Sequence, residues 1–188
     1  MESLLQAIAK TATAAKNIAT PEHVAEVENL LQSSLREFPL VANHDFLNIG
    51  MGPGVYFFDI KFPFRTECAF LDFVKTWGSK GTANPQKSTS RTYLMRARTH
   101  VEKVKAGEFV PFYLGKNKNV RSRVTQHLTG AAQSSTYGLK LLSRAELLKG
   151  CKLRASAAIL KIAPDAYFSV ELLEAALRER LHPMVGKQ

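Results

Sequence analysis

The chain has 188 residues, 45% of them hydrophobic, with 26 Lys+Arg against 16 Asp+Glu and a formal net charge of +10. That length makes one compact domain the default, and the composition excludes a mainly disordered or collagen-like chain. No apolar run approaches the roughly 18–20 residues that span a bilayer. Met1-Glu2 with Lys10 and Lys16 does not read as a signal peptide, and the isolated Cys68 and Cys151 read as reduced thiols of a cytoplasmic protein, not a zinc ribbon or disulfide scaffold.

Residues 2–18 carry Leu4, Leu5, Ile8, Ala9, Ala12 and Ala15 at helical spacing. Thr20 can cap a second helix with Pro21 in its first turn, running to about Phe38 before Pro39. Together these segments predict an acidic N-terminal helical hairpin. Residues 48–54 form a glycine-rich turn without the spacing of a dinucleotide loop. Val55 to Ile60 is rich in strand formers. Residues 61–77 are apolar and mixed, and 78–90 read as a polar loop. Residues 91–106 read as a basic helix ended by Gly107, followed by a strand from Phe109 to Leu114. Asn119 can cap a helix to Leu128, stopped by Gly130. After a polar loop over 131–140 and a short helix over 143–149, Leu153 to Ile162 suits a strand. Ser169 can cap a last helix ending before Pro183. There is no internal repeat.

The charge is uneven. Residues 1–52 hold three cations and six anions, −3, which leaves +13 on the remaining 136 residues. A surface that basic attracts polyanions through counterion release. Nucleic acid and an anionic membrane are the candidate partners, beside a merely soluble basic protein.

The candidate chemistry lies in two helices. Val120, Val124 and Leu128 make a buried stripe, and Arg123 and His127, also four apart, lie side by side next to it. A fixed cation beside an imidazole suits an anionic site that needs a proton carrier; the alternative is a surface histidine on a helix. In the last helix Val170, Leu173, Leu177 and Leu181 form an apolar face. Glu174 falls inside that face, whereas Glu171 and Glu179 read as solvated. A carboxylate there needs a partner, so Glu174 is either salt-bridged or a metal ligand.

Gly54-Val55-Tyr56 and Tyr113-Leu114-Gly115 resemble the two halves of the GIY-YIG nuclease signature. Lys116, Arg123, His127, and Glu174 nine residues before Pro183, are similar in spacing to the family's core. The resemblance covers residues 54–58 and 109–186. It implies an α/β fold with a small three-stranded antiparallel sheet flanked by helices. An acidic helical segment (1–52) would precede a nuclease domain (53–188) that carries a basic insertion at about 59–107. Tyr56 and Tyr113 are 57 residues apart, further than in compact members, which is what the insertion accounts for. Many members place Asn three residues after the proline, where this chain has Gly186.

The resemblance further implies metal-dependent hydrolysis of a DNA phosphodiester. Glu174 would hold Mg²⁺ or Mn²⁺, and Arg123 would clamp the scissile phosphate. Tyr56 would act as general base with help from His127 and Lys116, and Tyr113 would position the water. Arg91, Arg96 and Arg98 of the insertion, with Lys118 and Arg121, would grip double-stranded DNA. A restriction-type enzyme with a cognate methylation partner leads. A toxin-type nuclease with an immunity partner and a non-catalytic nucleic-acid-binding module are the alternatives. A palindromic site would favour a homodimer.

Overall fold

The computed structural model describes residues 3–6, 13, 19–41, 49–79, 91–130, 138–162 and 166–186. Most of the first predicted helix and nearly all of the 78–90 loop therefore lie outside the described residues, although 4–6 are helical. Helix α1 (Pro21–Ser33) starts as expected: the Thr20 hydroxyl accepts from His23 N–H at 3.3 Å. It stops five residues earlier than predicted, and Arg36–Phe38 forms strand β1.

The central strands are β2 (Gly54–Lys61), β4 (Val110–Asn117) and β5 (Lys152–Ile159), with β2 hydrogen-bonded to both others in antiparallel register. The expected three-stranded antiparallel sheet is nevertheless wrong. The sheet has six strands in the order β1-β5-β2-β4-β6-β3, where β3 is Arg91–Thr92 and β6 is Val185–Gly186. It is mixed, because β6 runs parallel to β4 through the pair Tyr113–Val185. The three added strands are two or three residues long. Runs that short carry no period-2 signal, and only their partners define them.

All of β2 but its last residue is buried. Burial of successive residues, which alternate between the two faces of a strand, indicates cover on both faces. One face, with Val55, Phe57 and Leu114, packs against Val24, Val27 and Leu31 of α1. The same face meets Val170, Leu173, Leu177 and Leu181 of the long C-terminal helix, Phe168–Leu181. The other face, with Tyr56, Phe58 and Ile60, meets helix α5 (Val120–Thr129) through Val120, Val124 and Leu128.

The described residues of the segment expected as an insertion are a folded part of that second layer. Helix α2 (Glu67–Ser79) buries Phe70, Phe73, Val74 and Trp77, spaced i, i+3, i+4 and i+7. The single basic helix expected over 91–106 is instead β3, then α3 (Leu94–Arg98) and α4 (Val101–Ala106). Thr99 and His100 separate the two helices, and the buried His100 ring donates from Nε2 to the His182 carbonyl at 2.8 Å. Burial holds the His100 imidazole below its usual value, so it stays neutral in that bond. Arg91 and Arg98 consequently do not share one helix face.

The expected helix over 143–149 is a 3-10 turn at Leu142–Arg144 followed by hydrogen-bonded turns. The C-terminal helix, α6 (Phe168–Leu181), has Tyr167 before its first residue. The expected cap Ser169 lies buried inside its first turn. No helix among the described residues is long and apolar enough to cross a membrane.

Candidate active site

Tyr56 sits in the middle of β2, opposite Gly115 on β4, with its side chain on the α5 side. Its hydroxyl passes directly over Gly115. A Cβ at that position would lie 2.4 Å from Tyr56 Oη and 2.7 Å from Tyr113 Cε1. Glycine is therefore required there by space. The Tyr56 and Tyr113 rings stack at 6.0 Å between centroids, and His127 of α5 closes the group at 4.7 Å from the Tyr113 ring.

Helix α5 is placed by local signals legible in the sequence. The Asn119 side chain caps it by accepting from Ser122 N–H at 3.1 Å. The Val120 N–H bonds the Gly52 carbonyl at 3.0 Å, tying the glycine-rich turn to the helix start. His127 on this helix is fully buried, which settles against the surface alternative. Its Nδ1 accepts from Leu139 N–H at 2.8 Å, and its Nε2 is 2.9 Å from Tyr56 Oη. Burial first, and the Arg123 charge second, push its pKa down to about 3. The imidazole is thus neutral, with its proton on Nε2, and donates to the Tyr56 oxygen. The Tyr56 hydroxyl itself is held well above the ordinary phenol value by burial and by Tyr113, with the Arg123 guanidinium opposing both.

Arg123 lies on α5 one turn before His127, and its Nη1 donates to Gln126 Oε1 at 2.8 Å. Lys116 takes a different direction from the one expected. It projects toward α6, where Nζ pairs with Glu171 Oε1 at 2.9 Å, so Glu171 is not merely solvated. Glu179 likewise is paired, with Arg96 Nη2 at 2.9 Å. Arg121 donates from Nε to the Ile49 carbonyl at 2.7 Å, and Lys118 lies over the Tyr167 ring at 5.4 Å. Arg91 and Arg98 are exposed, on β3 and α3.

Glu174 is buried among the apolar residues of α6, as its spacing predicted. Its carboxylate is ion-paired with Arg178, one turn later, which is one of the two alternatives left open by the sequence. The i, i+4 spacing of Glu174 and Arg178 is a sequence signal that could have found this pair. Arg178 Nη2 also donates to the Leu114 carbonyl of β4 at 3.2 Å. The donor set fits a hard cation only as a single carboxylate. Magnesium is commonly held by one or two carboxylates plus water and substrate phosphates, so Glu174 fits when Arg178 yields to the ion. No group of three or more His, Cys, Asp or Glu among the described residues is placed to hold a metal.

The Leu139 N–H and Arg178 are the parts of this neighbourhood that sequence reasoning missed. The first belongs to a segment distant in sequence, joined only by folding. A cavity of about 440 Å³, lined by Asp59, His100, Arg154 and Arg180 among others, includes none of the predicted site residues. Comparison of the chain with family models, curated proteins and solved structures finds no match.

Proposed function

We infer that this protein is a metal-dependent phosphodiesterase acting on double-stranded DNA, a small GIY-YIG-type endonuclease of restriction type. The observation that carries this reading is the chain Leu139 N–H to His127 to Tyr56 Oη, with Arg123 beside it. A neutral histidine fixed by a backbone donor holds the phenol oxygen in one place. To act as base, Tyr56 must first release its phenol proton to solvent, and the phenolate then takes one proton from the attacking water. Tyr56 is a phenol in the free protein at neutral pH, so its base form belongs to the substrate complex. Arg123 already favours that form and is placed to offset charge on the phosphate. Bound Mg²⁺ or Mn²⁺ at Glu174 would supply positive charge for the leaving oxygen. The surface of +13 over residues 53–188 supplies the attraction to the polyanion.

One observation favours a second reading, a nucleic-acid-binding module without catalysis: the Glu174 carboxylate is already engaged by Arg178. Plasmid digestion with Mg²⁺ separates the two. The nuclease reading expects cleavage by the natural chain and a loss of roughly 10²–10⁴-fold in Tyr56→Phe, whose ring packing is retained. It expects comparable losses in Arg123→Ala and Glu174→Gln. Full cleavage by Tyr56→Phe would overturn the mechanism. Absence of cleavage by the natural chain, together with duplex binding, would establish the module. Sequenced ends then distinguish a restriction enzyme, which gives one motif, from a toxin, which gives random ends.

A further inference from the structure

Gly186 is the hub of a second basic cluster. Its φ of +147° is open to glycine alone, and a Cβ there would meet Arg178 Nη1 at 2.8 Å and the Tyr113 ring at 3.7 Å. The Tyr93 hydroxyl donates to the Gly186 carbonyl at 3.4 Å, and the Arg96 guanidinium lies over the Tyr93 ring at 5.3 Å. Arginines from α6 and α3 therefore converge on one short strand, next to the Tyr113 ring that stacks on Tyr56.

Arg96 carries the sharper signal. Its side chain is 18% exposed, Nη2 holds Glu179, and Nη1 is buried with no hydrogen-bond partner. A buried guanidinium donor left without an acceptor points to a missing one. Glu179, by contrast, is 72% exposed on its side chain and can swing away at little cost. A guanidinium freed on that side presents the planar fork that matches a phosphate.

We propose that Arg96, flanked by Tyr93 and Arg178 around Gly186, is a phosphate-binding cradle that exchanges Glu179 for a backbone phosphate adjoining the scissile one. The identity of the polyanion rests on the nuclease reading. Of the three arginines singled out in the insertion, only Arg96 belongs to this cradle; Arg91 and Arg98 are exposed outside it.

The test is duplex DNA binding by the full chain in EDTA, followed by fluorescence anisotropy over a salt series, with thermal melting to verify folding. Arg96→Gln is expected to make the slope of log affinity against log salt shallower by about one. Glu179→Gln, at an exposed position, is expected to tighten binding about threefold by removing the competing carboxylate. Lys149→Gln, an exposed charge change outside the cluster, is expected to leave the slope unchanged. An unchanged slope in Arg96→Gln, weaker binding in Glu179→Gln, or no duplex binding by the natural chain would each overturn the cradle. Cleavage judges the underlying reading separately. Full cleavage by Tyr56→Phe with a shallower Arg96→Gln slope removes the nuclease chemistry and leaves the cradle, whereas the converse pair removes the cradle alone.

Discussion

Replacing His127 with Gln tests the buried imidazole through the pH dependence of stability. In the folded protein His127 takes up a proton only near about pH 3. In the unfolded chain it does so near 6.5. Between those values the unfolded chain binds more protons than the folded one, so stability falls as pH falls. Each pH unit inside the window is worth about 1.4 kcal/mol, which makes about 3 kcal/mol between pH 7 and pH 4. Glutamine does not titrate, so His127→Gln abolishes this part. It also removes the acceptor for the buried Leu139 N–H, at about 1–3 kcal/mol independent of pH. Urea unfolding at pH 7 and pH 4, read by the fluorescence of the single buried Trp77, gives both quantities. The variant is expected to be less stable at pH 7, and its further loss at pH 4 to be smaller by about 3 kcal/mol. All other titrating groups are common to both chains and cancel. Parallel pH curves for the two proteins would refute a neutral, buried His127.

Gly115→Ala places a methyl group 2.4 Å from Tyr56 Oη, so the hydroxyl must leave its position against His127. On the proposed nuclease reading, DNA cleavage is expected to fall at least about tenfold while the central sheet still forms; cleavage at the natural rate would sink the role given to that hydroxyl. Burial pushes the Cys151 thiol up to about 11, whereas Cys68 is exposed. Because the thiolate is the reactive form, iodoacetamide at pH 8 should label Cys68 first, as mass spectrometry of the native protein would show. Equal rates at the two thiols would contradict the packing around β5.

What was legible in the sequence was local. The Thr20 and Asn119 caps, the Gly107 helix end and the three long strands rest on residues close together in the chain. The stripe of Phe70, Phe73, Val74 and Trp77 was equally local and could have been read as a helix. The boundary at Ser33 was not legible, because Arg36–Phe38 becomes a strand only through its bonds to β5. Glu174 was correctly placed in an apolar face by spacing, yet spacing alone left its partner undecided.

The sequence by itself determined which side chains are candidates for the chemistry, because charge, capping and periodicity are properties of neighbouring residues. Tertiary structure decided what each of them contacts. Lys116 and Arg123 are seven residues apart, but one turns to Glu171 on α6 and the other stays beside Tyr56, because strand alternation and the sheet's two covered faces send them to different layers. The sheet's true width was also a tertiary outcome: two- and three-residue strands acquire their identity from partners far away in the chain, as Arg91 does from Gly186 and Arg36 from Ala155.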